Sequence, residues 1–512
     1  MSVEWSEWMM AGRELVKLLV IALVIVLVMG TAFEVERHLR RLVLPIVIFM
    51  IVIIVPLTLL VDGRDIPRIM LQGGIDKTIR DPGGISSWML RLTTAGVVAA
   101  CTVRILAGLF DRRRIGLPGP ALFVAFAAYA VFNYLMNLPF AQHTAPFQPA
   151  YVYPLLVFGA ILMTRADGPE DLITGAKWGL FVVMAGSLAQ WAVNPNFTNE
   201  PDYAGLLPGV SFRFWGIGSG PNNTGPAAMV ALLLTLHQPF RLRILQWVAL
   251  ASAIVVLVLA QSKTAWGATL LALPALYYYR AIAKGATPPA YGYRLVLAMV
   301  MMTAAVTAVG VMLAFTQIGS RIQMWMLTDD FRQLATLTGR DTLWRVVLEE
   351  FRANPLFGYG APIFDEDFRA TTGLAYAFSA HNQFLQTLGR SGGLGLLSFT
   401  IYFAVLARYA VLAARPTRGL SVALMIALGV RGMTETPFDL QPVLAIEFAA
   451  HMVLFALALH VRAVPQQAPD ATQAAEKVKR WRRARARPKP RPAPETAAGF
   501  DDRYSHSASH HV

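Results

Sequence analysis

Apolar runs of about twenty residues recur along the chain, separated by polar segments. They lie at roughly 15–33, 42–61, 86–110, 118–137, 150–164, 171–193, 222–238, 243–261, 264–279, 293–317, 392–413, 419–434 and 443–462. A helix of about twenty residues rises about 30 Å, the thickness of a bilayer's hydrocarbon core. Only helices and closed barrels pair every backbone group inside a membrane, and these runs are too long and too continuously apolar for barrel strands. The pattern therefore predicts an all-α polytopic membrane protein with about 12–13 transmembrane helices. The short run at 150–164 is expected to be a tilted or broken helix. The first run lacks a small-residue cleavage site and reads as an anchor.

The polar segments set an orientation. ERHLRR (36–41), DRRR (111–114), HQPFRLR (237–243), the 280–294 segment and RPTR (415–418) are short and basic. They alternate with LPFAQHTAPFQPA (138–150), the 194–221 segment, a long segment at 318–391 and TETPFDLQP (434–442). Short basic loops stay cytoplasmic, so the second set is expected outside and the C-terminus inside. The expected organisation is N-terminal helices over 1–200, a catalytic core over 201–462 that holds the 318–391 loop, and a tail over 463–512.

Composition agrees with this picture: 55% of the 512 residues are hydrophobic and 15% charged. The net charge of +14 does not point to nucleic acid, because nine bases between Lys477 and Arg491 crowd the Pro- and Ala-rich tail. That tail is expected to be disordered and to rest on anionic lipid. The single cysteine, Cys101, lies in an apolar run and is expected in the core.

Chemistry concentrates on the expected outer side. In GRDTLWRVVLEEFRANPLFGYG (339–360), Asp341 is placed to cap a helix over about 342–353, whose Leu343, Val346, Val347 and Phe351 share one face. The helix is expected to lie on the membrane surface, to stop at Pro355 and to turn at Gly358–Gly360. Arg345 has Glu349 one turn on as an ion-pair partner. Arg340 has no such partner, and a guanidinium suits phosphate oxygens. In SAHNQFLQTLGRSGGLG (379–395), Ser379 is a suitable N-cap for a helix over about 380–390. His381 then falls in its first turn, where the helix dipole disfavours a positive imidazole and leaves a neutral base. Asn382 orients either a ligand or the loop. Gly389, Gly392, Gly393 and Gly395 suit close packing.

Three further segments join them. In FRFWGIGSGPNNTG (212–225), the aromatics around Arg213 suit either headgroup depth or a sugar face, and Asn222, Asn223 and Thr224 suit helix capping. Lys263 of QSKTAW (261–266) either snorkels or meets an anion. Glu435 and Asp439 of TETPFDLQ either balance these bases or accept a proton. No metal-ligand cluster, phosphate-binding loop or cofactor motif is evident. The constellation is cationic and outward-facing: Arg213, Lys263 and Arg340, with His381 as the base. Such a set suits a lipid-linked diphosphate, whose developing charge the cations would stabilise.

These segments in this order, from about 205 to 440, resemble the O-antigen ligase and O-unit (exopolysaccharide) polymerase family. The carriers are RFWGIGSGPNNTG, the SKT between helices, GRDTLW followed by NPLFGYG, and AHNQFLQTLGRSGGLG. The resemblance implies a multi-pass protein of the bacterial inner membrane with a periplasmic active site. It implies metal-independent, inverting transfer of glycan from undecaprenyl diphosphate. Arg340 would contact the diphosphate and His381 would be the catalytic histidine; on the reading of the residues themselves, Arg213, Lys263, Arg345, Asn382 and Glu435 are the candidate substrate-binding residues. The implied partners are the lipid-linked donor, a glycan or lipid A-core acceptor, and chain-length and export proteins. Lysine at 263, where ligases of the family often carry arginine, leans towards a polymerase. A lipid-linked glycan transporter would instead carry charges within its spans. A structural subunit would tolerate loss of His381.

Overall fold

In a computed structural model of the protein, residues 2–71, 82–110, 118–164, 168–203, 205, 207, 209–283, 340–374 and 377–461 are described. The expected span at 293–317, the first part of the outer loop (318–339) and the tail at 463–512 lie outside the described residues.

The described chain is mostly helical, joined by loops, with one antiparallel strand pair, β1 (Asn199–Glu200) with β2 (Arg213–Phe214). The main helices are α1 (Ser2–Asp62), α2 (Gly84–Phe110), α3 (Gly119–Ala130), α4 (Tyr153–Thr164), α5 (Glu170–Val193), α6 (Pro221–His237) and α7 (Arg243–Leu259). They are followed by α8 (Lys263–Ala283), α9 (Arg340–Ala353), α10 (Glu366–Thr372), α11 (Gln383–Leu412), α12 (Leu420–Gly432) and α13 (Ile446–Ala458). Among the described residues, five helical stretches are long and apolar enough to cross a bilayer: Arg40–Asp62, Gly84–Leu109, Gly119–Phe140, Glu170–Val193 and Gln383–Leu412. Shorter apolar helices, such as Leu420–Gly432 and Ile446–Ala458, pack among them. Apolar side chains such as Leu106, Trp247, Leu270 and Ile401 stay exposed on the outside of the bundle, as expected of helices solvated by lipid. The chain is an all-α polytopic membrane protein.

One expected turn is absent. The first two predicted spans form the single helix α1, with ERHLRR inside it. The bases there are paired along the helix: Glu34 faces Arg37 and His38, and Glu36 faces Arg40. Pairs three and four residues apart support helix, and this favours continuing the helix over a hairpin.

The core is mainly aliphatic, with an aromatic cluster inside it. Phe126 stacks on Phe158 at 4.0 Å, and Tyr129 stacks on Tyr402 at 5.7 Å. Cys101 is buried, as expected. Four buried bases lie near helix ends, Arg104 and Lys177 in α2 and α5, Arg390 and Arg431 in α11 and α12, while buried Glu36, the partner of Arg104, lies inside α1. Each of these bases is within about two helical turns of a terminus.

Two irregular helices meet below the candidate site. After α3 the chain makes a π-helical turn, Val131–Leu135, and α11 breaks at Gly392, whose φ is 61°. Ser391 hydrogen-bonds Asn133, and Asn137 donates to the Arg390 carbonyl at 3.2 Å. The Gly358–Gly360 turn docks on the same break. Tyr359 N donates to Gly389 O at 2.8 Å, Gly360 N to Arg390 O at 3.0 Å, and Gly393 N to Pro355 O at 2.7 Å. A Cβ on Gly358 would stand 2.5 Å from Gly389 O, and one on Gly392 would stand 2.4 Å from Leu356 C. Both motifs therefore need glycine, because two backbones touch.

Candidate active site

The GRDTLW segment forms α9, which begins at Arg340 and so takes in Asp341. Leu343 and Val347 are buried as the spacing predicts. They pack against Ile363, Phe364, Phe368, Leu374, Ala377 and Ala380 of the same chain segment. The apolar face thus has a small core of its own, in place of the expected bare membrane surface. Trp344 ties the two sides together by donating to Ala380 O at 2.8 Å. Arg340 opens the helix. Arg345 lies about 140° further round, exposed, and donates to Thr342 Oγ1.

The second motif folds differently from the expectation. Asn382, not Ser379, is the N-cap of α11: its side chain accepts from Phe384 N and Leu385 N at 3.0 and 3.1 Å. Asn382 also donates to Met433 O. Its described contacts are therefore structural. His381 precedes the cap instead of lying in the first turn. Its φ is 46°, a left-handed conformation uncommon for non-glycine residues, though histidine adopts it more often than most. Strain of this sort is stored where surrounding structure over-determines it. The ring is therefore not held within the first helical turn. A carboxylate orients it: His381 Nδ1 is 2.8 Å from Glu435 Oε2.

Glu435 is the hub of the site. Its Oε1 accepts from Asn222 Nδ2 at 3.1 Å and meets Arg340 Nη2 at 3.4 Å. Arg340 Nη1 also donates to Thr434 O at 3.1 Å. The Asn222 carboxamide oxygen accepts from Arg213 Nη2 at 2.8 Å. Arg213 in turn donates to Ala260 O at 3.2 Å, and its guanidinium lies 5.1 Å from the Tyr203 ring. One carboxylate and one amide thus join His381, Arg340 and Arg213 from three distant parts of the chain. Lys263 begins α8 three residues after Ala260, is exposed, and feels the Arg213 charge.

Local folding explains how Arg213 and Asn222 arrive there. Buried Arg64 donates to the carbonyls of Phe197, Gly218 and Gly216 and lies over the Phe197 ring at 4.6 Å. Trp215 Nε1 donates to Glu200 across the short strand pair, and Thr224 Oγ1 donates to Trp215 O. Asn222 is thus part of the site and not a helix cap. The α6 N-cap is Gly220, with no side-chain cap bond.

Burial would raise the Glu435 carboxyl. The hydrogen bond from His381, with the charges of His381, Arg431 and Arg340, outweighs it and holds the group below the ordinary carboxylate range. An ionised carboxylate only accepts, so Nδ1 carries a proton, and in the neutral ring it is Nε2 that holds the lone pair. His381 keeps 28% of its side chain exposed, so this lone pair is on an accessible ring. The arrangement offers a carboxylate-oriented base beside guanidinium groups. Among the described residues no group of three or more His, Cys, Asp or Glu is placed to hold a metal ion.

The other acidic candidate works elsewhere. Asp439 binds both terminal nitrogens of Arg390, at 2.8 and 3.0 Å, and also meets Tyr134 OH. This buried cluster locks the α11 break against the turn after α3. Arg390, Arg431 and Arg64 were missed as site supports. The visible signal was only that each is an arginine at the edge of an apolar run.

The fold and this cluster define a multi-pass membrane protein with an imidazole–carboxylate pair among arginines. Residues 248–400 match the family described as O-antigen ligase. The matched stretch holds Lys263, Arg340 and His381, and is narrower than the 205–440 expected from the motifs. The match supports a glycosyl-transfer enzyme of the ligase or polymerase type, acting on a lipid-linked glycan and an acceptor. No curated protein matches the chain.

Proposed function

We propose that the protein transfers a glycan from undecaprenyl diphosphate to a sugar hydroxyl at the periplasmic face of the bacterial inner membrane, extending exopolysaccharide or O-antigen repeat units. The single observation that carries this reading is the Glu435 hub, which puts His381, Arg340 and the Asn222–Arg213 pair in one network. His381 Nε2 takes the proton of the acceptor hydroxyl. The hydroxyl oxygen attacks the anomeric carbon from the face opposite the diphosphate. The new C–O bond forms as the bond to the diphosphate oxygen breaks, which inverts the configuration. Undecaprenyl diphosphate leaves with the electron pair. Arg340 and Arg213, with Lys263 at the rim, stabilise the charge that develops on it. A guanidinium has five N–H donors, and the contacts of Arg340 to Thr434 and Glu435 account for two of them.

A ligase moving finished glycan to lipid A-core is the second reading, favoured by the description of the family that matches. The two share the site and differ in acceptor. A transporter is disfavoured, because the His381–Glu435–Arg340–Asn222–Arg213 network gathers at helix ends and loops and not along a midplane path. The test is a purified protein given undecaprenyl-diphosphate-linked glycan and acceptor. His381→Ala is expected to insert normally and to lose transfer. Full activity in that variant would refute the mechanism, and product size separates polymer from single transfer.

A further inference from the structure

Arg431 is 2% exposed at the last turn of α12, yet it is not a conventional ion-pair partner. Its Nε and Nη1 have no hydrogen-bond partner among the described residues. Its Nη2 donates to the Asn222 main-chain oxygen at 2.8 Å and stands 3.9 Å from Glu447 Oε1. Its own carbonyl accepts from Thr434 N at 3.0 Å and Glu435 N at 2.8 Å. One residue thus holds the backbone of Glu435 with its main chain and the backbone of Asn222 with its side chain. Asn222 and Glu435 then meet each other at 3.1 Å. An apolar side chain would pack this place without the large desolvation cost of a buried guanidinium. The charge at this position therefore calls for a role.

We propose that Arg431 is the positioning residue of this site, fixing Asn222 and Glu435 from beneath and keeping a positive charge under the Glu435 carboxylate, with Glu447 as its counter-charge. It touches no reacting atom and acts on His381 through Glu435. The groups facing Glu435 are His381, Arg340, Arg431 and the neutral Asn222 amide. Those facing Arg431 are Glu435, Glu447 and Arg340. Arg213 lies one amide further away.

Two independent readouts test this. The first needs no activity: the pH at which Glu435 protonates, followed by infrared difference spectroscopy with Glu435→Gln as the assignment control. Arg431→Met removes a cation from beneath the carboxylate and is expected to move that pH upwards. Arg431→Lys keeps it near the wild-type value. Glu447→Gln leaves the Arg431 charge uncompensated and moves it downwards. If Arg431→Met does not fold, the upward shift is read in Arg431→Gln. The second readout rests on the proposed glycosyl transfer. Arg431→Met is expected to lower kcat about 10- to 100-fold, as for a misplaced reactive group, with donor KM near wild type. Asn222→Ala added to Arg431→Met should cost little more, because both changes break one linkage. An unshifted Glu435 in Arg431→Met or Arg431→Gln overturns the proposal, as does full additivity with Asn222→Ala. A shifted Glu435 in a wild-type protein without transfer activity would refute the proposed reaction and leave the positioning role standing.

Discussion

Replacing Glu435 by glutamine keeps the size of the side chain and removes the charge. The outcome follows from which atoms face which. Oε1 lies among donors, Asn222 Nδ2 at 3.1 Å and Arg340 Nη2 at 3.4 Å, while Oε2 faces His381 Nδ1 at 2.8 Å. A carboxamide has one oxygen and one NH2. If the NH2 faced Asn222 and Arg340, two donor–donor contacts would result, at about 1–3 kcal/mol each. The oxygen therefore stays there and the NH2 turns to His381. Nδ1 must then accept, the ring proton moves to Nε2, and the lone pair required for proton abstraction is lost. General-base catalysis contributes about 10²–10⁴-fold, so kcat in the purified transfer assay is expected to fall by that factor while the protein stays folded. The stability change is smaller, about 1–2 kcal/mol, because the Arg340 side chain is still 18% exposed. Acid also discharges Glu435 in the wild type. The Glu435 pKa is held below 4.5, so its contribution to stability is complete above that value and lost as pH falls through the lower folded-state value. The variant should lack this loss when the two are melted in detergent over roughly pH 6 to 3. Wild-type kcat in Glu435→Gln would refute the reasoning.

Two other substitutions test the frame and the cations. Gly392→Ala places a Cβ 2.4 Å from Leu356 C in a backbone with φ of 61° and ψ of −160°. The expected loss is about 3–5 kcal/mol from strain and displaced backbone bonds, with a lower melting temperature. At Gly393 a Cβ meets only Pro355 O at 3.3 Å, so Gly393→Ala is the mild control, and equal melting of the two would refute the docking argument. Arg340→Lys keeps the charge but loses the fork that reaches Thr434 and Glu435. Donor KM is expected to rise about tenfold, roughly 1.4 kcal/mol, and unchanged donor affinity would remove Arg340 from the diphosphate role.

Local pattern made some of this legible and distance hid the rest. Helix α9 could be read from Leu343 and Val347 because its period is local. Arg340, Arg213 and His381 stood out as bases and a proton acceptor on one side of the membrane. Asp341 and Ser379 looked like caps because capping rules score short windows. The helices in fact begin at Arg340 and after Asn382, where tertiary contacts to Thr434 and Met433 decide. Glu435 carried little signal in TETPFDLQ, since its partners Asn222, Arg340 and His381 lie 213, 95 and 54 residues away. Arg390 and Asp439 were hidden likewise, because a buried pair looks like two isolated charges until the α11 break and the turn after α3 are brought together. The hairpin expected at ERHLRR failed for the opposite reason. Its charges were read as a loop, although their spacing of three and four residues is that of a helix.

The contact lengths in the hub suggest how one carboxylate can serve both base and cation. Glu435 holds His381 at 2.8 Å and Arg340 at 3.4 Å. A diphosphate brings more negative charge than one carboxylate and offers oxygens that match a guanidinium. Under the proposed reaction, the longer contact is the one that yields when the donor arrives. Arg340 then turns to the phosphate while still tied to Thr434 O at 3.1 Å. Glu435 keeps His381, and Arg431 beneath it replaces part of the positive charge that Arg340 takes away. Donor binding would therefore strengthen the demand of Glu435 on the Nδ1 proton at the moment Nε2 must act. This coupling needs both an arginine that can leave and an arginine that cannot, which is the difference between half-buried Arg340 and fully buried Arg431.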